Sequence, residues 1–545
     1  MAYTLSRATL SWLSLVCLLA SPASAQGGGD AVAPEAAACG DEVEVDRDRF
    51  LRQVTLDLWG RVPSVVEYEA LAAEPVFDQS ALEALVDTMI AAPEFDTFVD
   101  RHHADLLWPN VNNLDFISPT SLLLPAAFYG APGDGQRLFN LFIGLYERRQ
   151  LFAPCKDEPA EFDETGRPVM EEMIDGTRRE GWVMVEPYWA PGTQVKVCAL
   201  EARTAAINEY GMDCLQGSSQ LTGQCGCGPN LERCASIEVF TETVPLLREQ
   251  MMRMVKRPIA EGRPYTDILT DVSEEVTGPL VHYYRHIARY ALDPLVAVAP
   301  IDLADVEDMN YTDRDWRTVT RAAEEHAGVL TSTTFLLRFQ TARSRANRFY
   351  NAFLCEPFQA PNDGLPSPND ECSQEPNLRE RCGCNYCHAR LEPASAHWGR
   401  FAEAGTMYVD PAIYPVFSQR CAACAENPDA PCDPYCDKFY VTDIGHPKQA
   451  PFAGVLKSYE FRPPEEVASL EAGPRALVDL HVADGRIAAC AATQVFRRLY
   501  RREPTQDEQL FELAEIARDF QGGNFDFKQL VRTLLVSEGY RRMVR

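Results

Sequence analysis

Three residues in one short run have the types and spacing for redox chemistry: Cys384, Cys387 and His388, in Cys384-Asn-Tyr-Cys387-His388. Two thiols three positions apart can each add across one vinyl group of a single porphyrin. The histidine that follows then offers its imidazole to the iron, so C-x-x-C-H is the attachment signal of a c-type haem. With 18 Cys and 9 His in 545 residues, a shuffled chain would hold about 0.01 such pentads. The pentad therefore reads as the site of one covalent haem c, with His388 as the proximal iron ligand. A disulfide or zinc knuckle followed by a chance histidine is the competing reading.

The second axial position has several candidates. Met407 would give a His/Met site of raised potential, whereas His397, His446 or His481 would give a bis-histidine site of lower potential. Met407 and His397 are preferred. An open sixth position would instead allow small-ligand or peroxide chemistry.

The elements that must position this segment read as helices. Asp46 caps a helix whose apolar positions include Phe50, Val54 and Leu58, and Gly60 with Pro63 ends it. Ser64-Val-Val-Glu67 is a capping box, and Ser80-Ala-Leu-Glu83 reads as another. Leu82, Leu85, Val86, Met89 and Ile90 then share one face. Helical spacing returns over 244–254, 315–339 and 482–545, with a further box at Thr505-Gln-Asp-Glu508 and a helix opened by Asp526. Adjacent His102 and His103 point different ways on a helix, which favours a structural role over joint metal chelation. Arg497, Arg498, Arg501 and Arg502 read as a solvated face.

Met1–Ala25 has one basic residue, an apolar run and Ala23-Ser24-Ala25, the pattern of a secretory signal peptide. The expected location is periplasmic or extracellular, with no transmembrane segment after cleavage. Removing Arg7 takes the formal charge from −29 to −30, a surface that disfavours nucleic acid and suits a basic or membrane-associated redox partner. In an oxidising compartment the remaining cysteines should pair. Cys225, Cys227 and Cys234 pin a tight Gly/Pro loop. Cys421, Cys424, Cys432 and Cys436 favour two local disulfides over a zinc site. Seventeen Cys remain once Cys17 is removed, and fifteen lie outside the haem pair. That odd number leaves one unpaired, and Cys490, on a buried helical stripe, is the choice.

The fold class is mainly α: a multi-domain helical protein with a small cytochrome-c-like haem segment and disulfide-rich loops. The divisions are a signal peptide (1–25), a flexible leader (26–42), an N-terminal helical domain (43–150), a Cys-rich insertion (151–240), a helical domain (241–350), a c-haem and Cys-rich segment (351–450) and a C-terminal helical domain (451–545).

The run Val45-Asp-Arg-Asp-Arg-Phe-Leu-Arg-Gln-Val-Thr-Leu-Asp-Leu-Trp-Gly-Arg-Val-Pro-Ser64 resembles the N-terminal helical domain of the planctomycete-type secreted cytochrome families, with Gln53 in place of their second Arg. Blocks at 345–355, 494–504 and 530–537 resemble the approach to their haem segment and their C-terminal helical domain. After His388 the family's acidic residue, Pro, Gly and Phe correspond to Glu392, Pro393, Gly399 and Phe401, with an inserted Ala-Ser-Ala-His-Trp that brings in His397. Cys382 is a departure from the family pattern and is expected to pair with Cys372 or Cys355. The resemblance implies helical domains of unknown function around a c-haem segment, in families without a settled activity. The reading is an exported c-type haem protein acting in electron transfer. The alternatives are a peroxidase-like enzyme with an open iron, or a haem-free, disulfide-rich secreted interaction protein.

Overall fold

The Asp46 carboxylate accepts from the backbone N–H groups of Asp48 and Arg49, so α1 (Arg47–Trp59) begins where the sequence places it. It ends at Gly60, left-handed at φ 70°. The Ser64–Glu67 capping box forms and opens α2 (Val65–Ala73). α3 (Gln79–Ala91) departs from expectation: its cap is Asp78, accepting from Ala81 N, and not Ser80. A carboxylate two residues earlier takes an orphan amide, and Glu83 is drawn to Gln79 and Arg532 instead. Pro93–Phe95 makes a 3-10 turn that leads into α4 (Asp96–Leu107).

The computed structural model describes residues 42–44, 46–74, 76–111, 126–130, 137–141, 155–208, 211, 213–214, 225–233, 237–290, 306–321, 326–358, 366–403, 405–406, 408–427, 429 and 431–544. Residues 1–25, expected to be a signal peptide, most of the expected leader, Cys234 and Met407 lie outside them. The described chain is mainly helical, as the sequence indicated. A four-stranded sheet is an addition: Ala126–Gly130 and Arg137–Leu141 join Val195–Cys198 and Trp182–Val185. The first two strands fall within 43–150, so the helical reading of that segment holds as far as Leu107. Disulfides Cys155–Cys198 and Cys214–Cys225 secure the irregular stretch, and Cys227 is also disulfide-bonded.

α5 (Ile237–Ala260) buries Leu247, Met251, Met252 and Val255, and α6 (Gly278–Tyr290) packs against it. The continuous helix expected over 315–339 is not formed. Arg317–Thr320 is a strand paired antiparallel with Ser273–Val276, and helix resumes only at α7 (Thr333–Arg338). β-Branched Thr318, Val319 and Thr320 sit better on a pleated edge than in a helix.

Glu274 in the partner strand is buried, with neither carboxylate oxygen hydrogen-bonded. Burial pushes its pKa up to about 7, against the attraction of Arg321 and Arg257. A folded pKa above the unfolded value means stability present below about pH 4.5 and lost as pH rises through 7. Glu274→Gln should flatten that loss and gain roughly 3 kcal/mol over the parent at pH 8. Denaturant unfolding of both proteins at pH 5 and pH 8 checks this, and equal slopes would refute it.

The remaining α-helices of six residues or more among the described residues are α8 (Ala342–Phe353), α9 (Asn385–Ala396), α10 (Gln419–Ala425), α11 (Pro434–Phe439), α12 (Pro464–Ala483), α13 (Arg486–Tyr500), α14 (Leu513–Gly522) and α15 (Phe527–Val536). Thr505 and Glu508 make the expected capping pair, and Asp526 caps α15. The two ends of the chain meet: α15 packs on α3, where Arg532 binds Asp87 and Glu83. Residues 46–541 form one compact unit. In the other unit, Glu42–Glu44 pairs antiparallel with Arg542–Val544.

Candidate functional site

α8 leads towards the C-x-x-C-H segment and ends at Leu354. A loop then carries the chain to a disulfide between Cys372 and Cys382, one of the two partners anticipated for Cys382. Gly383, at φ 72°, makes the left-handed turn from that bridge into α9. Cys384 is the N-cap residue of α9, and the His388 N–H donates to its carbonyl at 3.0 Å. Cys384, Cys387 and His388 therefore stand at i, i+3 and i+4 on one side of the first turn. Both cysteines are thiols, half-buried, in a region where Cys355, Cys372, Cys382, Cys421, Cys424, Cys432, Cys436 and Cys490 are all in disulfides. Tyr386 between them is exposed.

One turn further on lies Glu392, whose Oε1 is 2.6 Å from His388 Nδ1. Burial alone would raise the Glu392 pKa. Hydrogen bonds from Arg343 and His388 and the charge of Arg462 hold it below the ordinary carboxylate value. An ionised oxygen only accepts, so Nδ1 carries the proton and donates, which leaves the Nε2 lone pair available. Arg343 donates Nε and Nη2 to the two Glu392 oxygens at 2.6 and 3.3 Å. Arg462 reaches the second oxygen at 3.2 Å and extends the chain to Glu466, which also receives Arg379. This support was not legible in sequence. The His388/Glu392 spacing of four was the one available signal, since the arginines come from α8 and from the residues before α12.

Among the described candidate ligands none shares a hydrogen bond or ring contact with His388. His397 caps the far end of α9, nine residues on, which on a regular helix is about 13 Å along the axis and half a revolution around it. It is buried, and its Nδ1 donates to Gly473 O at 2.8 Å. His481 is buried on α12 with Nδ1 at Asp484, and His446 sits in a turn. His102 and His103 lie in an aromatic cluster with Phe98, Tyr265 and Phe527. His103 donates Nδ1 to Val99 O and accepts from Tyr265, and burial lowers both histidines' pKa values, His103 to about 4. Among the described residues no group of three or more His, Cys, Asp or Glu could hold a metal ion.

Cys490 is a correction. It is bonded to Cys355, with Cα atoms 5.3 Å apart. Cys355 turns at φ 55° just past α8 and meets the buried stripe of α13, a contact invisible to local periodicity. The four later cysteines form two disulfides, Cys421–Cys436 and Cys424–Cys432, as expected. A cavity of about 440 Å³ is bordered by Ser395, Arg343 and Arg462; His388, Cys384 and Cys387 are not in its lining.

No curated protein and no solved structure matches the chain. Residues 34–114 match the family model PSCyt2, described as a protein of unknown function (DUF1549). The matched stretch spans α1 to α4 and stops well before the C-x-x-C-H segment. In those helices the chain is similar to a planctomycete-type, cytochrome-associated domain family.

Proposed function

We propose that this is an exported electron-transfer protein holding one haem c through Cys384 and Cys387, with His388 as the proximal iron ligand. The observation that carries the reading is the Glu392 hydrogen bond to His388 Nδ1. Metal-ligating histidines regularly donate their second ring nitrogen to a carboxylate or carbonyl, which sets the tautomer and the ring orientation. Two thiols on the same helical turn fit the two covalent links. When bound, the haem supplies a one-electron couple. Glu392, kept ionised by Arg343 and Arg462, makes His388 Nε2 more basic and so favours the oxidised state. Disulfides in the described residues fit an oxidising compartment, and no described helix is long and apolar enough to cross a membrane. The acidic composition suits a basic redox partner.

A haem-dependent enzyme is the second reading, for which the cavity bordered by Arg343 and Arg462, the two arginines on Glu392, offers room for a substrate. Oxidised thiols at Cys384 and Cys387 in the exported protein would support the haem-free, disulfide-rich scaffold.

The test is a pyridine haemochrome spectrum of the chain exported with a c-type maturation system, beside a Cys384→Ala, Cys387→Ala variant. The expected c-type α-band resists acid-acetone extraction and is absent from the variant. Well-folded protein without haem would overturn the reading. Carbon monoxide binding by the reduced protein would favour the enzyme.

A further inference from the structure

In this strongly acidic chain, four arginines converge on one cavity of about 380 Å³, lined by Leu56, Asp57, Arg101, Arg497, Arg498 and Arg501. α1 supplies Leu56 and Asp57, α4 supplies Arg101, and the last turn of α13 with its cap supplies the rest. Arg501 adopts a left-handed conformation, φ 56°, that L side chains seldom take. From there its guanidinium reaches Asp57 Oδ1 at 2.6 Å. The Tyr540 hydroxyl donates to the other Asp57 oxygen at 2.8 Å. The single carboxylate of the lining is thus already engaged.

The remaining cations are only partly compensated. Arg498 spends Nη1 on Asp105 at 2.6 Å, and Arg497 spends Nε on Glu503 at 2.8 Å. Both acids lie outside the lining. Arg101 has no hydrogen-bond or ion-pair partner among the described residues, and its guanidinium rests on the backbone of Gly60, where a Cβ would collide with it. Arg502, by contrast, closes on Glu508 at the surface, as a solvated arginine would. Four lining arginines against Asp57, Asp105 and Glu503 leave one cation, Arg101, without a counter-charge, while Arg497 and Arg498 keep further donors for a ligand. Planar guanidinium forks match oxygen pairs on tetrahedral anions.

We propose that this cavity binds a tetrahedral oxyanion, phosphate or sulfate, either free or as the terminal group of an ester. Arg101 and Arg498 are its principal donors, and Asp57 fixes the floor by holding Arg501 in place. The proposal is independent of haem. Asp57, Gly60 and Arg101 fall within the family-matched residues, but Arg497, Arg498 and Arg501 come from the other end of the chain, so the site exists only in the folded unit.

The test is calorimetric titration of the full exported chain with inorganic phosphate, inorganic sulfate, phenyl phosphate and phenyl sulfate, at ionic strength held constant with sodium chloride. Saturable binding of at least one probe is expected. It should weaken about tenfold or more in Arg101→Gln and stay unchanged in Arg502→Gln. Arg101 holds no protein partner, so its variant should keep the parent circular dichroism spectrum and melting temperature in chloride. Tighter binding of an ester than of the free ion would identify the esterified source, and the reverse the free one. No saturable binding of any probe, or equal affinity in folded Arg101→Gln, would overturn the proposal.

Discussion

Replacing Glu392 with alanine should destabilise the folded chain by about 3 kcal/mol, the low end of the cost of breaking a buried ion pair, because Arg462 keeps Glu466 and Arg343 is partly exposed. Glu392 and Arg462 are about nine-tenths buried at the side chain, 8% and 10% exposed, and Arg343 closes the other side of the carboxylate. The pair itself need not be strongly stabilising, because burying both charges costs much of what their attraction returns. Removing one partner is a different matter, because Arg462 would keep its desolvation cost with Glu466 as its remaining counter-charge. Glu392→Gln keeps an acceptor for His388 Nδ1 but loses the charge, so it should fall between alanine and the parent. In haem-loaded protein both variants should raise the reduction potential, since a less basic imidazole favours the ferric state less. Guanidinium unfolding and a potentiometric titration read the two effects separately. A stability loss under about 1 kcal/mol in Glu392→Ala would show that water reaches these arginines.

The second large effect is expected at the disulfide between Cys355 and Cys490. The residues are 135 positions apart, and cross-linking a loop of that length restricts the unfolded chain by roughly 5 kcal/mol. The Cys421–Cys436 bridge, at a separation of 15, should contribute nearer 3 kcal/mol. Serine at both positions of each bridge, compared by denaturant unfolding, tests the order. Equal losses from the long and short bridges would mean that residual structure in the unfolded chain, and not loop length, sets the stabilisation. The long bridge also ties the end of α8, just before the haem-candidate segment, to α13.

The arginines at the α13 terminus show how far local reading extends. On the helix they look like a solvated face, and Arg502 behaves as one. Arg497, Arg498 and Arg501 instead meet Arg101 and Asp57 because α13 packs near the start of the chain, a contact across about four hundred positions. No pattern within α13 encodes that neighbour.

The same division runs through the whole molecule. What depends on a few consecutive residues was legible: the caps at Asp46, Ser64 and Asp526, and the helical class. Capping hydrogen bonds and i, i+3, i+4 proximity are closed within one or two turns, so spacing alone specifies them. The cap of α3 slipped by two residues because Asp78 and Ser80 competed at nearly equal strength. What depends on packing was not legible. The strand at Arg317–Thr320 needed Ser273–Val276 as its partner, Cys490 needed Cys355, and Glu392 needed Arg343 and Arg462 from 49 and 70 positions away. Burial and charge compensation between distant segments are properties of the assembled core, and they appear only once the chain has closed on itself.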